Sequence, residues 1–177
     1  MYPTYIYYPR WQAAPTWVAR VVEVMADQRS VLDTSSNSHT SNQVLQLIRP
    51  ALEDIGFEVE SGNARADKIF RPVFFGDQGQ AERQYEIDAY HPDDRIALEV
   101  EAGRSWQGNA IYRDIVQMSL LVDVDYAVVA VPVEYRFKSG GRETTNWAYR
   151  DCRSVLDAIY GGRRLELPFK GFLLIGY

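Results

Sequence analysis

The 177-residue chain predicts an α/β fold, a central mixed β-sheet with helices on both faces. Three observations carry that expectation. Amphipathic helical patterns alternate with strand patterns along the chain, an order that layers helices over a sheet. The run DYAVVAVPV, residues 125–133, is almost continuously apolar, as a strand is when both faces are covered. Residues 84–90 and 96–102 alternate polar and apolar side chains on either side of HPDD, the pattern of an antiparallel hairpin.

Taken in order, MYPTYIYYPRW reads as an ordered aromatic arm. Residues 16–33 follow Pro15 with Val18, Val21, Val22, Met25 and Leu32 at helical spacing. TSSNSHTSN is a polar linker, and Thr40 with Gln43 forms the signature of a capping box opening a second helix over 43–55, with Gly56 as its stop. FEVES is a short strand. Residues 62–82 hold a strand or hairpin arm with bends at Gly76 and Gly79. In the hairpin that follows, Tyr85, Ile87 and Ala89 share one face and Glu86, Asp88 and Tyr90 the other. Across the turn, Ile96, Leu98, Val100 and Ala102 face the core, with Ala97, Glu99 and Glu101 opposite. A helix over 108–122 buries Ile111, Ile115, Met118 and Leu121 or Val122. The apolar strand, a helix over 146–160 and a last strand in FKGFLLIGY complete the chain. One domain, 1–177, accommodates all of this: an amino-terminal arm and helix over 1–40 and a core over 41–177.

Composition narrows the function classes. A formal charge of −5 argues against a general nucleic-acid coat, unless the acids gather around a divalent ion. Cys152 is the single cysteine, which excludes an intrachain disulfide framework and makes a reducing cytoplasm the expected setting. There is no basic-then-apolar leader and no apolar run of roughly 18 residues, so a soluble protein with no membrane partner is expected. His39 and His91 are too isolated for a zinc site. GDQGQ and KSGGRE lack the spacing of a phosphate-binding loop.

The acids are the informative residues. Like charges opposite one another destabilise a sheet, yet Asp88, Glu99 and Glu101 fall on faces that meet at one end of the hairpin. A hard divalent cation takes such oxygens, commonly one or two carboxylates plus water and phosphate. The next segment, GRSWQGNAIYRDIVQ, offers anion-binding groups in Arg104, Asn109, Arg113 and Gln117. The two arginines fit ordinary surface pairing with nearby acids equally well.

Glu53 on a helix, Asp88 on a strand, then Glu99-x-Glu101 on the next strand before a helix and an apolar strand, resembles the PD-(D/E)xK nuclease superfamily, which includes many type II restriction endonucleases. The resemblance covers about residues 43–132. It implies a restriction endonuclease-like core, DNA as substrate, Mg2+ as cofactor with Mn2+ able to substitute, and a homodimer or partner subunit to cut both strands. It also implies Asp88 and Glu99 as metal ligands together with the Val100 carbonyl. Glu101 orients or deprotonates the attacking water, and Glu53 supports a second metal or its water; Glu86 stands one step removed. Ile87 replaces the motif's proline and Glu101 its lysine, an E-x-E form similar to restriction enzymes of the BamHI type. The alternative is a catalytically inactive relative that binds DNA or a protein partner.

Overall fold

The described residues, 2–102 and 109–177 of a computed structural model, form fifteen helices and strands in the following order. These are β1 (Thr4–Tyr8), α1 (Thr16–Asp27), the short α2 (Arg29–Leu32), α3 (Ser41–Asp54), β2 (Glu58–Val59), β3 (Ile69–Phe75), β4 (Ala81–Ile87) and β5 (Ala89–His91). There follow β6 (Ile96–Val100), α4 (Ala110–Ser119), β7 (Tyr126–Val131), β8 (Tyr135–Ser139), β9 (Arg142–Asn146), α5 (Ala148–Gly162) and β10 (Gly171–Gly176). The main sheet runs β1-β10-β7-β6-β5-β2. Its centre, β10, β7 and β6, is parallel and its flanking pairs are antiparallel, so the sheet is mixed as expected.

The period of two in a strand explains the layers. Val128 and Ala130 of β7 join Leu98, Val100 and Leu173 against α1 and α3, whose Val21, Met25, Leu45, Ile48 and Leu52 are buried there. Ala127, Val129 and Val131 point the other way, with Ala97, Phe172 and Leu174, onto Ile111, Ile115 and Met118 of α4 and Cys152 and Leu156 of α5. Both faces of β7 are therefore covered, which is why its sequence shows no alternation. The capping box at α3 is present: the Gln43 N–H donates to Thr40 Oγ1 at 3.3 Å and the Thr40 N–H to Gln43 Oε1 at 2.9 Å.

Several boundaries differ from expectation. The helix over 16–33 breaks at Gln28 and restarts as α2, and Leu32 beyond the break is fully buried. The aromatic arm contains an edge strand, β1, paired antiparallel with β10. Segment 134–145 forms its own hairpin, β8 with β9. The strand over 84–90 is two strands interrupted at Asp88. β4 pairs with β3 in a separate two-stranded sheet, Ile69 opposite Ile87, while β5 pairs with β6, Ala89 opposite Leu98. The interruption reverses one face assignment: Ile87 packs on the α4 side and Ala89 on the α3 side.

Candidate active site

Asp88 sits at the interruption because its polar groups are used in place of ladder bonds. Its carbonyl accepts the Glu60 N–H at 2.9 Å, and its carboxylate Oδ2 accepts the Val100 N–H at 2.6 Å. This fixes the Asp88 side chain against the carboxyl end of β6. Glu99 lies one residue earlier on that strand, and Glu101 one residue later. Glu101 is held by its own backbone, its N–H donating to Ala130 O at 2.9 Å and its carbonyl accepting from Tyr177 Oη at 2.9 Å. Ser41, in the first turn of α3, accepts the Ala102 N–H at 3.0 Å. The acids border a recess of about 300 Å3 lined by Glu86, Ile87, Asp88, Glu99, Arg113, Asp114 and Gln117.

One guanidinium contacts two of these acids. The Arg113 guanidinium donates to Glu101 Oε1 at 2.7 Å and doubly to Asp114 Oδ1, at 3.0 and 2.9 Å. Glu99 Oε1 and Asp114 Oδ2 are shut off from solvent and have no donor among the described residues. Burial pushes Asp88 up to about 7, with the Val100 N–H opposing and Glu60 and Asp114 adding to the rise. Glu101 is likewise raised to about 7, by burial and Asp114 against the pull of Arg113. Burial, then Asp88 and Asp114, hold Glu99 well above the usual carboxylate range. Asp114 is raised by burial, opposed by Arg113. The two neighbouring carboxyls act on each other in opposite senses, Asp114 raising Glu101 and Glu101 lowering Asp114. The cause throughout is crowding of like charges out of water.

The structure brings Asp88, Glu99 and Glu101 to one end of β6, with Val100 between the two glutamates. Arg113 and Gln117 approach from α4; Gln117 Nε2 donates to the Glu86 carbonyl at 2.5 Å. Asn109 precedes the first turn of α4 with φ +63° and makes no side-chain cap, and Arg104 lies outside the described residues. Two expectations need correction. Three carboxylates do not converge on one point: among the described residues no three His, Cys, Asp or Glu side chains make a ready-made metal cage. Glu101 is drawn to Arg113 and Asp88 to the Val100 N–H instead. Glu53 is not brought to the recess. It lies in the last turn of α3, paired with Arg49 at 2.7 Å, while it is Ser41 at the other end that meets Ala102, two residues past β6. At about 1.5 Å per residue, the two positions are some 18 Å apart.

Asp114 was not anticipated, although the sequence carries a signal for it. Ile111, Ile115 and Met118 mark the buried stripe of α4, and Asp114 falls three residues after Ile111 on that same face. A carboxylate in an apolar stripe is the anomaly to look for. Lys68 was also missed. Its ammonium bridges Glu60 and Glu86, at 2.9 Å each, behind Asp88.

A mixed sheet between two helical layers, with carboxylates at the end of a central strand beside a strand interruption, places the chain among restriction-endonuclease-like α/β proteins. The solved structure of restriction endonuclease BglII complexed with a DNA 16-mer has the same fold: TM-score 0.58 over 99% of this chain and 78% of that one, at 13% identity. Residues 1–160 match the family described as "Putative halobacteria restriction endonuclease", and the chain belongs to that family. No curated protein matches it.

Proposed function

We propose that the protein is an endodeoxyribonuclease of the restriction or defence type, hydrolysing DNA phosphodiester bonds with Mg2+ at the carboxyl end of β6. The observation that carries this reading is the solvent-shielded Glu99 oxygen, without a donor among the described residues, on a side chain that borders with Asp88 a recess open to a substrate. A donor set made only of oxygens suits a hard divalent cation, and an uncompensated carboxylate oxygen fits one. Asp88, Glu99 and the Val100 carbonyl would hold it. When bound there, Mg2+ would lower the pKa of an attacking water and offset charge growing on the phosphoryl group.

The chain's own groups supply the rest. Glu101, raised to about 7, is matched to accepting a proton near neutral pH. Arg113 is two-thirds exposed even while gripping Glu101 and Asp114, so its outer edge can meet a phosphate oxygen. Gln117 and Asn109 flank that approach. Cutting a duplex takes two such sites, supplied by a second copy or a partner subunit. The Arg113–Glu101 pair supports a second reading, an inactive DNA-binding or protein-docking relative whose E-x-E glutamate is neutralised by arginine.

The test is cleavage of supercoiled plasmid and a mixed oligonucleotide pool with Mg2+, Mn2+ or EDTA, using wild type, Asp88→Asn and Glu99→Gln. Metal-dependent cutting lost in both variants supports the nuclease. No cutting of any substrate by wild type favours the inactive relative.

A further inference from the structure

We propose that Asp114 is a cation ligand: its Oδ2, with Glu99 Oε1, binds a divalent metal ion of the Mg2+ or Mn2+ class, making α4 the source of the helix-borne ligand that Glu53 does not provide. This rests on the nuclease reading only for its choice of cation.

The geometry is specific to this position. Asp114 is 2% exposed, in the middle of a stripe whose other members are Ile111, Ile115 and Met118. Burying a carboxylate there is costly unless it is paired and hydrogen-bonded. Arg113 pairs only half of it, since both guanidinium contacts fall on Oδ1. Asp114 and Glu99 border the same recess, Asp114 Oδ2 is as solvent-shielded as Glu99 Oε1, and neither atom has a donor among the described residues. Two carboxylate oxygens from different elements, unpartnered among the described residues and carried by side chains that border one recess, are the complement of a positive charge. Arg113 cannot be that charge, because it is already committed to Asp114 Oδ1 and Glu101. No third acid is needed, since such ions complete their shells with water or substrate phosphate.

A purely structural role for Asp114, anchoring Arg113, makes a different prediction, so the pair of variants Asp114→Asn and Arg113→Gln separates the two. Calorimetric titration of the full chain with Mn2+ alone reads the result without substrate or turnover. Asp114→Asn is expected to weaken Mn2+ binding about tenfold or more. Arg113→Gln, which keeps the carboxylate and removes a competing cation, is expected to bind Mn2+ at least as tightly as wild type. Should Asp114→Asn fold poorly by circular dichroism, Asp114→Ser replaces it.

Equal weakening in Asp114→Asn and Arg113→Gln would overturn the proposal, because Asp114 would then act through Arg113. Unchanged affinity in Asp114→Asn, with binding abolished in Glu99→Gln, would also overturn it while leaving the nuclease site at Asp88 and Glu99 intact. Absence of Mn2+ binding by wild type would overturn both.

Discussion

The two ends of β6 treat charge in opposite ways. At the amino end three acids each have a cation, Asp94 with Arg20 at 3.2 Å, Asp123 with Arg71 and Asp125 with Lys170 at 2.8 Å, although Asp123 Oδ1 stays buried without a donor among the described residues. Arg95 there also spans the Asp123 and Val122 carbonyls, at 3.0 and 3.1 Å. At the carboxyl end, among the described residues, the Arg113 guanidinium contacts only Glu101 and Asp114, Lys68 lies behind Asp88, and two buried oxygens, Glu99 Oε1 and Asp114 Oδ2, have no donor. A protein selected for stability alone would balance both ends. The imbalance at one of them is what a binding site looks like before its ligand arrives.

Breaking the unbalanced end should have the largest effect. Asp88→Asn and Glu99→Gln are expected to lower Mg2+-dependent plasmid cleavage by at least about 10²–10³-fold, read from initial rates, as loss of a group that stabilises transition-state charge does. In EDTA the same Glu99→Gln change should stabilise the fold, because it removes a buried carboxyl crowded by like groups and left without a donor among the described residues, at a cost on the order of 1–3 kcal/mol; denaturant titration measures this. Cleavage lost together with a large loss of stability would instead mean that Glu99 serves folding.

The pH dependence sharpens the contrast. Asp88 and Glu101 sit at about 7 in the folded chain, against ordinary values near 4 in the unfolded one. The folded chain thus binds protons more tightly. Stability from this cluster is full below pH of about 4 and is lost as pH rises through about 7. Melting curves in EDTA from pH 5 to pH 8.5 should show that fall, and Glu99→Gln should flatten it, since it removes a like charge beside both groups.

The balanced end should respond weakly. Lys170→Met removes one partner of an exposed pair and is expected to cost at most about 1 kcal/mol, with no change in cleavage. Smallest of all is Glu53→Gln, expected to cost about 0.3–0.5 kcal/mol through its helix pair with Arg49 and to leave cation affinity unchanged by calorimetry.

The same comparison shows what could be read from the amino acids. Asp88, Glu99 and Glu101 were legible because strand periodicity and a short turn fix which side chains share an end. The split at Asp88 was not, since an alternating run looks the same whether a strand stays in one sheet or passes from the β3–β4 pair into the main one. Glu53 misled because element order says which helix precedes the acids, while only packing says which end of that helix meets them. Asp114 is legible by its spacing on the buried stripe of α4, but a carboxylate at such a position is ordinarily solvated, and only packing shows that this one is buried. The strand in the aromatic arm was missed because its pairing with β10 bridges the whole length of the chain, beyond any local pattern.

The most direct test of the central claim is a thermal melt at pH 7.5 of wild type and Glu99→Gln, each with EDTA and with saturating Mg2+. The account predicts that Mg2+ raises the wild-type Tm, and that Glu99→Gln melts higher than wild type in EDTA and gains nothing from the ion. A wild-type Tm indifferent to Mg2+, with Glu99→Gln no more stable than wild type, would contradict it: the carboxyl end of β6 would then be no cation site, and its acids would owe their place to packing alone.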